Sequence, residues 1–72
     1  MRGFGFLADS KVAQISEAYA LKMNLPLDEA MKLFIGSTTY KLLNDAETGI
    51  YLEVFDYVYD MFLEEMREDK NE

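Results

Sequence analysis

The chain contains no cysteine and no histidine. Without cysteine there is no disulfide, and without histidine the usual transition-metal ligand is gone, so neither a metal nor a cofactor is expected. The missing cysteines fit a reducing cytosol, and a cytoplasmic location is the expectation. No run approaches the roughly 18 apolar residues that a membrane span requires. The opening residues, Met1 to Ala8, are too few for the apolar core of a signal peptide and meet Asp9 at once. A soluble protein without membrane contact is therefore expected. Basic residues are also scarce, seven against fourteen acidic ones. A nucleic-acid backbone would find no cationic footprint here.

What remains is an apolar, aromatic and acidic chain. Half of its 72 residues are apolar and ten are aromatic, far from the composition of a disordered tail. The length allows a single domain, 1–72. A domain this small buries a modest fraction of its surface and usually gains support from a disulfide, a metal or a neighbouring subunit. With the first two gone, the options are self-association or unusually dense helix packing.

The charge is unevenly placed. Residues 1–44 carry five basic and four acidic side chains, a balance of +1, whereas residues 45–72 carry two basic and ten acidic ones, a balance of −8. Such a concentration is either a solvated face that maintains solubility or a surface for a positively charged protein.

The apolar spacing predicts an all-α bundle of about four helices, near 10–23, 26–36, 38–44 and 51–68. Residues 1–8 read as an irregular arm whose Phe4 and Phe6 tuck onto the core, and Gly3-x-Gly5 lacks the third glycine of a dinucleotide loop. Asp9 or Ser10 can cap the first helix. Val12, Ile15, Tyr19 and Met23 form its stripe, and Asn24, Leu25 and Pro26 end it. Pro26 suits the first turn of the second helix, with Leu27, Ala30, Met31, Phe34 and Ile35 inward and Gly36 at its end. Ser37 can cap a short third helix that turns Tyr40 and Leu43 to the core. Asn44 to Gly49 is a loop. From Ile50 or Leu52 the dominant last helix runs to about Glu68, and residues 69–72 fray. Twelve of the seventeen residues between Ile50 and Met66 are apolar, without a glycine or proline. About two thirds of that helix's circumference is greasy, more than one core face requires.

Residues 24 to 51 carry a pattern of packing and turn residues: Asn24-Leu25-Pro26-Leu27-Asp28-Glu29-Ala30, Phe34, Ser37-x-x-Tyr40-x-x-Leu43 and Asp45-x-x-Thr48-Gly49-x-Tyr51. It resembles that of a group of short, uncharacterised bacterial helical proteins. The resemblance covers about two fifths of the chain. It implies a four-helix fold of unknown function, in a class suspected of acting beside toxin-like partners, and it transfers no catalytic residue. Where that pattern opens its last helix with Ser-Pro, Val54 and Phe55 stand here.

No catalytic constellation emerges. Glu53, Asp56, Asp60 and Glu64 recur at helical spacing, but without histidine and on a wet face they lack the cleft that metal binding or acid–base work demands. Ser37-Thr38-Thr39 offers hydroxyls with no base to activate them, and reads as a cap. Met23, Met31, Met61 and Met66 read as core filler, or alternatively as an adaptable groove. A non-enzymatic interaction module is therefore expected. The acidic row Glu53, Asp56, Asp60 and Glu64, with Tyr57 at its edge, would receive a basic protein, in an antitoxin-like manner. Val54, Phe55, Val58, Tyr59, Met61, Phe62 and Met66 would form the seam of a homodimer. The alternatives are a helix-turn-helix-like nucleic-acid adaptor built on residues 26–43, disfavoured by the acidic chain, and a purely structural homodimer.

Overall fold

The apolar spacing does produce helices. The computed structural model describes the backbone of residues 2–70 and the side chains of residues 8–67. Four helices, α1 (Arg2–Met23), α2 (Leu27–Ile35), α3 (Thr38–Leu43) and α4 (Phe55–Lys70), pack into one globule. Single turns of 3-10 helix at Ala46–Thr48 and Ile50–Leu52 lie between α3 and α4, and no strand occurs among the described residues.

α1 is longer than its stripe predicts. Instead of an irregular arm over 1–8, the helix begins at Arg2 and continues through both glycines, so Asp9 and Ser10 lie inside it and cap nothing. The reason is visible at Ala8, which is buried and extends the stripe of Ile15 and Tyr19 back by two turns. Once a nucleus exists, each added residue gains a hydrogen bond, which offsets the roughly 1 kcal/mol that a glycine costs. The side chains of Phe4 and Phe6 lie outside the described residues. At its other end α1 stops as expected. Asn24 takes the left-handed conformation (φ 57°), and Leu25 N–H donates to the Ala20 carbonyl at 2.9 Å. This six-to-one closure satisfies an orphan carbonyl and folds half-buried Leu25 against the core.

Pro26 is the cap residue of α2, one position outside the helix, where its carbonyl accepts from Glu29 and Ala30. Asp28 and Glu29 follow in the first turn, where the helix dipole favours negative charge. The predicted inward stripe of α2 is narrower in the fold. Ala30 and Phe34 are buried, but Leu27 and Ile35 are each 46% exposed. A nine-residue helix lying along α1 covers only its central ridge.

α3 is held at its N-terminus by a complete set of acceptors. Ser37 N–H donates to the Phe34 carbonyl, Thr38 and Thr39 N–H to the Glu65 carboxylate, and Tyr40 N–H to Ser37 Oγ. Few six-residue helices persist without such help. The following loop is also built by its side chains. Asp45 Oδ1 accepts from Glu47 N–H, Thr48 Oγ1 lies 2.7 Å from the Leu42 carbonyl and accepts from Ile50 N–H, and Gly49 turns the chain at φ 72°.

The last helix starts later than its composition suggests. Residues 50–52 form a separate 3-10 turn, Glu53 is extended, and α4 begins at Phe55. Tertiary contacts separate the two segments. Ile50 and Tyr51 pack against the core, and Lys11 Nζ donates to the Tyr51 carbonyl at 3.1 Å. α4 spans 16 residues against 22 for α1.

One aromatic residue from each helix forms a continuous edge-to-face chain through the core. Tyr19 of α1 meets Phe62 of α4 with ring centroids 4.9 Å apart, Phe62 meets Phe34 of α2 at 5.0 Å, and Phe34 meets Tyr40 of α3 at 5.7 Å. Ile15, Leu43 and Val58 close around them. Ser16 is the exception: it is fully buried and its hydroxyl has no hydrogen-bond partner among the described residues.

Two stability outcomes follow from this core. Phe62→Ala should cost about 3–5 kcal/mol, a large part of the total for so small a domain, and urea denaturation should show it largely unfolded without denaturant. Ser16→Ala removes an unsatisfied hydroxyl and should raise the unfolding free energy by about 1 kcal/mol, seen as a higher urea midpoint at unchanged slope.

Candidate functional site

α4 carries the residues that sequence singles out, and the fold distributes them over three surroundings. Asp56, Asp60 and Glu64 are exposed at successive i, i+4 positions and make one acidic row. Glu53 is exposed as well, but it precedes the helix in extended backbone and does not share the helical row. The expected four-residue row is thus three residues on α4 plus one beyond its N-terminus. Arg67 donates to Glu64 at 3.0 Å, an exposed pair worth little in stability. Asp56 and Asp60 have no ion-pair partner among the described residues.

The expected seam divides differently. Val58 and Phe62 are fully buried in the chain's own core, so neither can face a second copy. The three other helices cover more of α4 than their lengths suggest, because the aromatic rings reach across the gaps. Phe55, Tyr59, Met61 and Met66 are half-buried, and Phe55 stacks on Tyr59 at 5.1 Å. Burial, reinforced by the nearby Tyr19, pushes the Tyr59 phenol above its ordinary pKa. Val54 lies outside the helix and is 68% exposed, beside exposed Leu52 and Tyr57.

Two features had no local signal in the sequence. The first is Glu65, off the acidic row. Its Oε2 accepts from Thr38 N–H at 2.7 Å, and its Oε1 from Thr39 N–H at 2.9 Å and Thr39 Oγ1 at 2.8 Å. Partial burial alone would raise its pKa, but these hydrogen bonds outweigh burial and hold the carboxyl below its ordinary value. The partners are 26 and 27 residues away, beyond the reach of any spacing argument.

The second is a groove of about 550 Å³ between the C-terminal part of α1 and the second half of α4. Tyr19, Met23, Leu63 and Met66 form its apolar floor. Lys22 stands on the α1 side, and Asp60, Glu64 and Arg67 stand on the α4 side, all four exposed. Met23, which is exposed, and Met66, half-buried against the core, therefore line a surface depression.

Among the described residues no group of acidic side chains is clustered closely enough to hold a metal ion. No helix among them is long and apolar enough to cross a membrane. Compared with protein-family models, with curated proteins and with solved structures, the chain matches none.

The Glu65 contact yields a signed pH dependence. A carboxyl whose folded pKa is depressed contributes its full stability above the unfolded value of about 4.3. That contribution fades as pH falls through the lower folded value. Glu65→Gln should therefore be less stable than the parent by about 1–2 kcal/mol at pH 7. Thermal melts of the two proteins should converge as the pH is lowered below the carboxylate range.

Proposed function

We propose that the chain is a non-catalytic interaction module whose acidic α4 receives a basic protein. The observation that carries this reading is the row Asp56, Asp60 and Glu64, exposed along one face, with exposed Tyr57 and Val54 beside its N-terminal end. Charged rows of this kind speed association with a cationic surface, and the effect weakens as salt shortens the screening length to about 10 Å or less. Tyrosine beside such a row is suited to burial by another chain with its hydroxyl at the rim. An antitoxin-like neutralisation of a basic partner is the most specific form of this role.

Self-association is the second reading, and the exposed apolar side chains favour it. Leu21 is 85% exposed, and Leu27, Leu33 and Ile35 of α2 are also open to solvent. Sedimentation at about 100 µM, above ordinary dimer dissociation constants, separates a monomer from a dimer directly. A nucleic-acid adaptor is the least favoured reading. Glu65 occupies the N–H groups at the start of α3, the end a helix-turn-helix would direct toward a phosphate, and Lys41 is the only basic residue of that helix.

The discriminating variant is Asp56→Lys with Asp60→Lys. Both positions are exposed, so the far-UV spectrum should not change. Association with basic partners captured from native lysate and identified by mass spectrometry should slow about tenfold or more at low salt. Capture of the same partners with unchanged salt sensitivity would leave the acidic face as a solubility device only.

A further inference from the structure

We propose that the groove between α1 and α4 seats an amphipathic helix of the partner. That helix carries cationic side chains on the flank against α4 and acidic ones on the flank against α1. The inference rests on the interaction role above and adds where the partner docks and what chemistry it presents.

The charges on the two sides of the groove carry the argument. Lys22, in the last turn of α1, has no ion-pair partner among the described residues, and neither has Asp60 across the groove on α4. Glu64 is already engaged by Arg67. An unpaired cation and an unpaired anion therefore border an apolar floor from opposite sides. A segment that buries a greasy ridge on Tyr19, Leu63 and Met66 satisfies both only if its two flanks differ in sign. The two methionines, unbranched and polarizable, let the floor adapt to branched side chains.

Other occupants fit less well. No strand occurs among the described residues, so an extended peptide finds no sheet edge to join, whereas a groove between two helices with an apolar floor suits the helix-in-groove mode. A small molecule is held by polar groups that converge on it inside a pocket, whereas the charged groups here are exposed on the borders. A second copy would bring another chain of net charge −7 against the acidic row. Self-repulsion of that kind opposes close approach.

The test uses the full chain and three synthetic helical peptides that share one leucine ridge. The first carries lysines on one flank and glutamates on the other, the second lysines on both, and the third glutamates on both. In fluorescence anisotropy the mixed peptide should bind about twofold to fivefold more tightly than either of the others, the scale of one exposed ion pair gained or lost. Lys22→Glu should transfer the preference to the all-lysine peptide, and Asp60→Lys to the all-glutamate peptide. Asp56→Lys, one turn along the same row but outside the groove, should leave the order unchanged. Met66→Asp should abolish binding, and Met23→Glu, at an exposed helix end, provides the same reading if the first variant loses its circular-dichroism signature. Failure of all three peptides to bind, or equal binding by all of them, overturns the inference. So does a protein dimer that dissociates as peptide binds, because a second copy then fills the groove. If the all-lysine peptide binds best and Asp56→Lys and Asp60→Lys weaken it equally, the acidic row works without the groove. The groove inference then falls while the basic-partner role stands.

Discussion

The contact between Phe34 and Phe62 is the one on which the other helix positions depend. Both rings are fully buried, and each passes the contact on, Phe62 to Tyr19 and Phe34 to Tyr40. Four helices of unequal length thereby share one aromatic chain. Edge-to-face pairs add about 0.5–1.5 kcal/mol each beyond the area they bury. In a domain with neither disulfide nor histidine-bound metal, such packing supplies support that small folds often draw from a staple. The small residues Ala20 of α1 and Ala30 of α2 are buried in the same cluster.

Glu65 performs a second task that the aromatic chain cannot. Rings hold helices together but do not satisfy backbone donors. α3 has only six residues and would leave its first N–H groups unpaired without the carboxylate arriving from α4. The same side chain therefore caps one helix and pins another against it. Its neighbour Glu64 points to solvent and belongs to the acidic row. Two adjacent glutamates thus serve structure and surface, separated by the 100° turn between successive helical residues.

The surface divides in a comparable way. The acidic row is an electrostatic feature that acts over a screening length, whereas the groove is a short-range feature of shape and apolar contact. Asp60 and Glu64 belong to both. A partner steered by the row would arrive beside the groove, a sequence of events that suits fast encounter followed by slower, more selective docking.

Local chemistry was legible in the sequence alone. The end of α1 at Asn24-Leu25-Pro26, the cap at Ser37, the turn at Gly49 and the inward positions of Phe34 and Leu43 all follow from effects within a few residues. The uneven charge and the exposed row at Asp56, Asp60 and Glu64 were equally readable, because composition and helical period determine them. Tertiary contacts decided the rest. Burial of Ala8 extends α1 through glycines that read as an irregular arm. The Lys11 contact and the docking of Ile50 and Tyr51 divide an unbroken apolar run into a 3-10 turn and α4, which detaches Glu53 from its row. Val58 and Phe62, placed in a dimer seam by their width of arc, face inward: the rings of Tyr19 and Phe34 meet Phe62, and Val58 lies in the same buried cluster. Glu65 and the groove depend on residues more than twenty positions apart. Spacing rules describe one helix at a time, and only the packed chain determines which faces meet.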